Sequence, residues 1–371
     1  MSNRKLVILS IVAALMVVWA VIQARVGRAP AKAPFVSSYL IQGLDPAKIA
    51  SIVIGKGDGA ARLIRQGSRF VVGNKDNYPA AMSKINNLIT SCLDIRTIEL
   101  ITSDPVNHAS LDVTEEKAQN VIKFLDRNGQ VITGIVIGSS RLPEMQISKR
   151  STYVRLISSD DVYRAKNVPL SAGSAVDYVD KEIANVSRTD VARVTVTGPE
   201  GSYTLRVDDS DDDNIVLDNI PAGKKLKDSD AKQVLSALSY LSFDDVKKES
   251  SEEGKLKFDR TYVCELKDST VYTFKIAKVK GKNYAKCGAE YADKTQIVKE
   301  RRIESEEELK SKEAKLLARD RAVDFTRKHK GWLYEIPDWK AKNMTRKLTE
   351  LLEEEKVDEP SSASNSEEPK T

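Results

Sequence analysis

In a chain of 371 residues with 2 histidines and 3 cysteines, chemistry has few places to sit. His108 falls in an expected loop and His329 on a charged helix, with no cysteine close to either in sequence. Neither accompanies a G-x-S-x-G elbow, so both read as ordinary polar histidines rather than general bases. Cys264 and Cys287 lie on nearby expected strands, and Cys92 on the apolar side of a helix. An oxidising compartment permits a Cys264–Cys287 bond. In a simple meander, however, an intervening strand holds the two Cα atoms beyond the reach of about 7 Å that a disulfide needs. Buried free thiols are the expectation.

The run Asp208-Asp-Ser-Asp211-Asp-Asp213 offers oxygens to a hard cation. It lacks the spaced ligands, turn glycine and closing glutamate of a calcium loop, and reads as a solvated acidic loop. Gly55-Lys-Gly57-Asp-Gly59-Ala60 follows a strand, as a dinucleotide-binding turn does. Such a turn must open into a helix whose N-terminus holds the pyrophosphate. Here residues 61–67 return as a strand, which makes the segment a hairpin turn. The carboxylates show no spacing that selects an acid–base pair. No catalytic, metal or cofactor-binding residue is assigned, and the chain is expected not to be an enzyme.

One cluster remains. Lys310, Lys312, Lys315, Arg319, Arg321, Arg327, Lys328 and Lys330 lie on one charged segment, interleaved with acids at first and basic toward its end. They are the candidate partner-binding residues, for a protein subunit or an acidic lipid surface. Across the chain 59 basic residues face 54 acidic ones, a net charge of +5 that gives no case for nucleic-acid binding.

The elements that position these residues begin with an anchor. Leu6 to Ile22 reads LVILSIVAALMVVWAVI, a run without a charge. At 1.5 Å per residue it nearly matches a bilayer core of about 30 Å. Trp19 suits the interface, and Arg4, Lys5, Arg25 and Arg28 flank the run. A cleaved signal has a shorter apolar core, and Pro34 would follow any cut after Ala31-Lys32-Ala33. The expectation is an uncleaved, single-pass anchor in the inner (plasma) membrane, with the main body periplasmic or extracytoplasmic.

Beyond it, strand and helix signals alternate and then recur. Residues 49–54 are matched by residues 191–196, 142 positions later (191 − 49). Ile85, Ile89 and Cys92 are matched by Val234, Leu238 and Leu241, each 149 later. Strands at 121–125, 131–137 and 153–157 are echoed at 261–266, 271–277 and 284–287. Ser305 and Glu308 have capping-box spacing ahead of a helix over residues 306–330. A strand over 331–336 and a helix with Met344, Leu348, Leu351 and Leu352 on one side follow. The expected fold class is α+β (α/β mixed): an N-terminal transmembrane helix, then a duplicated strand–hairpin–helix–antiparallel-sheet unit. The expected layout is an anchor over 1–28, a linker over 29–48, repeats over 49–180 and 181–299, a charged helix, strand and C-terminal helix over 300–352, and a disordered acidic tail over 353–371.

This arrangement resembles the family called domain of unknown function 4340. The likeness is carried by Ile49 to Ile54 with Phe70-Val-Val72, and by Ile135-Val-Ile-Gly138 with Thr152-Tyr-Val-Arg-Leu156 and Asp161-Val-Tyr163. It continues through Tyr178-Val-Asp180-Lys181-Glu182-Ile183 into Val191 to Val196, and ends in Trp332-Leu-Tyr-Glu-Ile-Pro337. Tyr178, Phe70 and Ile215 stand where the family often has tryptophan, and retain apolar bulk. The resemblance implies a membrane-anchored extracytoplasmic protein associated with ABC transporter systems of the gliding-motility auxiliary type. It supplies no catalytic residues.

The function expected is that of a non-enzymatic accessory or scaffold of an ABC-type transport system, contacting the membrane through Leu6 to Ile22 and a protein partner in that complex. The alternative is an envelope polysaccharide- or cell-wall-binding module, whose mark would be Tyr153, Tyr163, Tyr203 or Tyr284 exposed on one sheet face. A hydrolase whose carboxylates meet only in three dimensions is the other rival.

Overall fold

A computed structural model describes residues 3–26, 35–139, 151–169, 173–208, 211, 214–252, 254, 256–295 and 305–354 of the chain. The linker prolines Pro30 and Pro34, four residues of the acidic run (Asp209, Ser210, Asp212, Asp213) and the tail from 355 lie outside them. The fold is mixed α+β, with mostly antiparallel sheets and, among the described residues, six α-helices.

In chain order the elements are α1 (Asn3–Val26), β1 (Ser51–Ile54), β2 (Ala61–Gln66), β3 (Arg69–Val72), β4 (Tyr78–Pro79), α2 (Met82–Leu93), β5 (Arg96–Thr102), β6 (Asn120–Leu125), β7 (Val131–Ile137), β8 (Thr152–Leu156) and β9 (Val162–Lys166). Next come β10 (Glu182–Ala184), β11 (Val191–Gly198), β12 (Gly201–Val207), β13 (Ile215–Leu217), β14 (Lys224–Leu226), α3 (Asp228–Leu235), β15 (Leu241–Ser242) and β16 (Asp245–Lys248). The last are β17 (Arg260–Leu266), β18 (Thr270–Val279), β19 (Lys282–Tyr291), α4 (Glu306–His329), β20 (Trp332–Ile336), α5 (Asp338–Met344), α6 (Leu348–Leu351) and β21 (Leu352–Glu354). They form two compact units, Met1–Ala60 with Ile85–Gly173, and Ala61–Lys84 with Ser174–Thr371.

In the first unit the strands run β1-β6-β7-β8-β9-β5. Alternation sets the register, with Ile52 and Ile54 buried and opposite Phe124 and Ile122. Gly129, at φ +77°, supplies the left-handed turn between β6 and β7. α2 buries Ile85, Leu88, Ile89 and Cys92, an i, i+3, i+4, i+7 face. α1 is 24 residues long, with side chains described from 11 to 23. Among the described residues no helix is long and apolar enough to cross a membrane.

In the second unit an eight-stranded sheet runs β13-β12-β11-β17-β18-β19-β20-β16. Tyr262, Phe274, Phe243 and Tyr334 are among the unit's largest core side chains, each at most 1% exposed. α3 packs on β11, α5 and α6, while α4 packs on β18 and β19. Two helices differ from expectation. The helix that the match of Val234, Leu238 and Leu241 to Ile85, Ile89 and Cys92 implies stops at Leu235, because the following turn is held by other parts of the unit. Ser239 Oγ donates to the Val186 carbonyl at 2.6 Å, and Asn185 accepts from the Tyr240 amide at 3.1 Å. The single C-terminal helix is broken at residues 345–347. There Thr345 Oγ1 bonds back to the Ala341 carbonyl at 2.8 Å, and Arg346 turns inward to Asp230 and Gln233.

Candidate functional site

α4 carries the whole basic cluster, with Lys330 as its C-cap. The capping box forms as its spacing predicts: Ser305 Oγ accepts from the Glu308 amide at 3.2 Å, and Glu308 accepts from the Ser305 amide at 2.9 Å. The helix seats itself through Ala318, Ala322 and His329, all buried, and through Phe325, whose ring meets Tyr272 edge-on at 4.9 Å. Thr326 Oγ1 donates to the Ala289 carbonyl at 2.6 Å and accepts from the Ala289 amide at 2.8 Å, so one hydroxyl clamps helix to strand.

The eight basic residues do not gather into one surface. Lys315 pairs with Asp293 at 2.8 Å and Arg321 with Asp268 at 3.0 Å, two bonds that tie α4 to the ends of its own strands. Lys315 and the Thr295 hydroxyl and amide hold Asp293 well below the usual carboxylate range. Lys310 pairs with Glu306 and Arg327 with Asp324 along the helix, and Lys328 reaches Asp180 at 3.6 Å. Arg319 and Lys330 are exposed, and Lys312 is half-buried. Sequence reasoning overlooked the other outward feature of α4: Leu309, Leu316, Leu317 and Val323 are 45–57% exposed. The seven-residue spacing of Leu309, Leu316 and Val323 was legible, but the surrounding charge concealed it.

At the C-terminal end of α4 a groove of about 720 Å³ is lined by Lys248, Glu249, Phe258, Lys286, Lys330 and Trp332, among others. A depression of about 400 Å³ sharing Glu249, Lys286, Lys330 and Trp332 adds Lys275, Cys287, Thr326 and His329. Among the described lining residues four lysines accompany one carboxylate, Glu249, which accepts from Lys286 Nζ at 2.6 Å. Lys286 also lies over the Phe258 ring, 4.5 Å from its centroid. Ammonium donors beside aromatic faces suit an oxyanion carried on an apolar or sugar framework. Activation is another matter. Burial pushes the Cys287 thiol up, so it stays protonated. Burial and the nearby Lys328 push His329 down to about 4, so the ring is neutral, with Nδ1 2.7 Å from the Tyr334 hydroxyl.

The remaining candidates resolve individually. Buried His108 lies 2.9 Å through Nε2 from the Asp160 carbonyl, a loop contact. Cys264 on β17 and Cys287 on β19 are separated by β18, about 10 Å at two strand spacings, and both are free. Residues 57–59 form a single 3₁₀ turn followed by β2, as a hairpin reading requires. In the acidic loop Asn214 Nδ2 donates to Asp208 at 3.1 Å, and no group of three metal-ligating side chains occurs among the described residues. Of the four tyrosines, Tyr203 is buried, its hydroxyl donating to the Arg346 carbonyl at 2.8 Å. Tyr153 packs on the Val113–Val121 core, Tyr163 donates to Asp161 at 3.1 Å, and Tyr284 lies beneath Lys247.

Fold and site together define a mixed α+β protein built on antiparallel sheets, with a lysine-lined groove and a charged helix docked beside it. The chain belongs to the family described as domain of unknown function (DUF4340), whose family model matches residues 71–261. No curated protein and no solved structure matches it.

Proposed function

We propose that this protein is a non-enzymatic, single-pass, extracytoplasmic accessory or scaffold of an ABC-type membrane transport assembly. The observation that carries the anchored reading is α1. Every large apolar side chain described on it, from Ile11 to Ile22, is 47–65% exposed. Burying each such side chain is worth about 1.5–3 kcal/mol, so a segment apolar on all sides favours an apolar surrounding, and among the described residues none covers it. In the sequence the uncharged run continues from Leu6 to Ile22, nearly the length a bilayer core needs. The transport role is what the family resemblance implies. An internal duplication fits the strand order, since β1 pairs with β6 and β6 with β7, as β11 pairs with β17 and β17 with β18.

Alkaline extraction of membranes and a reporter fused after residue 371 test the reading. The full chain should stay in the membrane pellet, the reporter should be active only outside the cytosol, and permease and ATPase subunits should copurify. A chain released by alkali, or a cytosolic reporter, overturns it. The lysines around Trp332 and Phe258 favour a second reading, an anionic envelope polysaccharide in the groove, which a pull-down with Trp332→Ala as control would separate from the first.

A further inference from the structure

α4 has two apolar faces, and among the described residues only one is covered. The inner one is seated on β18 and β19. The outer one is a line: at 100° per residue, Leu309, Leu316 and Val323 fall within about 40° of one another and span about 21 Å. All three are 45–57% exposed. The charges beside this line are sorted by sign. Lys312, Arg319 and Lys330 stand about 40–60° to one side of it, and Glu313, Asp320 and Asp324 about 40–80° to the other; Glu308, about 80° out on the basic side, is turned back to the Ser305 amide at 2.9 Å. Arg327, at the end of the line, pairs with Asp324 of its own helix at 2.7 Å.

We propose that α4 is a self-association surface, through which two copies of the chain pair along Leu309, Leu316 and Val323 with their helices parallel and in register. The sorted charge selects both occupant and direction. A two-fold axis parallel to the helices carries the basic flank of one copy onto the acidic flank of the other. Lys312 then faces Glu313 of the second copy and Arg319 faces Asp320, each offset by about 1.5 Å along the axis and each formed twice. An antiparallel pair sets Lys312 against Arg319 and Glu313 against Asp320, and like charges oppose it. Three apolar rungs make a short contact, so the pairing is weak in dilute solution and gains from any tether that concentrates the chains. The inference is independent of the anchored reading, because it concerns this face of α4 whether or not α1 lies in a membrane.

Single cysteines placed on the outer line test it, in the full chain purified in mild detergent. The native thiols give a quiet background, since Cys92 and Cys264 are buried and pushed up to about 12, and Cys287 is raised further. Parallel pairing predicts covalent dimers of Leu309→Cys, of Leu316→Cys and of Val323→Cys, each crosslinking to its own kind. Antiparallel pairing gives a dimer of Leu316→Cys alone, together with a mixed Leu309→Cys/Val323→Cys dimer, and overturns the proposal. Absence of dimers in all three also overturns it. Arg319→Glu in the Leu309→Cys background should cut the dimer yield several-fold, and adding Asp320→Arg should restore it. These positions are solvent-exposed, so folding is not at stake, and a double variant that fails to recover rules out the charge register.

Discussion

Burying an imidazole beside an ammonium sets its charge before any ligand is considered. His329 is 1% exposed, and loss of solvent is the largest cause that lowers its pKa, followed by the charge of Lys328. Asp180 and the Ile183 carbonyl oppose the shift without reversing it. The folded value of about 4 lies below the 6.5 of the unfolded chain. Between those values the unfolded chain takes up a proton that the folded chain refuses. This contribution to stability is therefore fully present above pH 6.5 and is lost as the pH falls toward 4. The drop amounts to about 3 kcal/mol for a shift of this size. Carboxylates titrate in the same range, so the difference between chains is the quantity to measure. Urea unfolding of the wild type and of His329→Gln from pH 7 to pH 4 should show the variant losing about 3 kcal/mol less.

At the scale of elements, α4 holds its place through a few polar contacts as much as through apolar ones. Thr326→Val keeps the shape of the side chain but leaves the Ala289 amide and carbonyl without the hydroxyl that serves both. It should cost about 1–3 kcal/mol, read as a lower urea midpoint at unchanged slope. The signals that sequence made legible here were local ones. The Ser305–Glu308 box, the i, i+3, i+4 face of α2 and the alternation of β1 each lie within a few residues and mark their elements correctly. What was not legible depends on distant partners. α3 ends early, and the turn after it is held by Lys340, about a hundred positions on, whose buried ammonium donates to the carbonyls of Ala237 and Ser239. Strands of two to four residues such as β4, β14 and β16 are too short to show a period at all. For the site, the basic residues were visible, but their carboxylate partners Asp293, Asp268 and Asp180 were set by tertiary structure.

At the scale of the whole molecule, the second unit is not contiguous in sequence. It includes residues 61–84, which are separated from its main body, beginning at Ser174, by the 89 residues 85–173 (173 − 84). Tyr78 is 3% exposed, its ring edge-on to Trp332 at 4.8 Å and to Phe243 at 5.8 Å. Polar bonds reinforce that packing: Lys75 pairs with Asp245 at 2.6 Å, Asp76 accepts from the Lys248 amide at 2.9 Å, and the Ala81 amide donates to Tyr178 at 2.8 Å. A buried tyrosine removes about 150–250 Å² from water, or about 4–6 kcal/mol at 25 cal/mol per Å². That is comparable with the entire stability of many domains, about 5–15 kcal/mol. A fragment of residues 174–354 should therefore leave Phe243, Trp332 and Tyr334 open to solvent, bind a hydrophobic dye and unfold without a sharp transition. Adding a peptide of residues 61–84 should restore a cooperative transition, and the same peptide carrying Tyr78→Ala should fail to do so. A fragment that already unfolds cooperatively without the peptide would show that the segment decorates the unit instead of completing it.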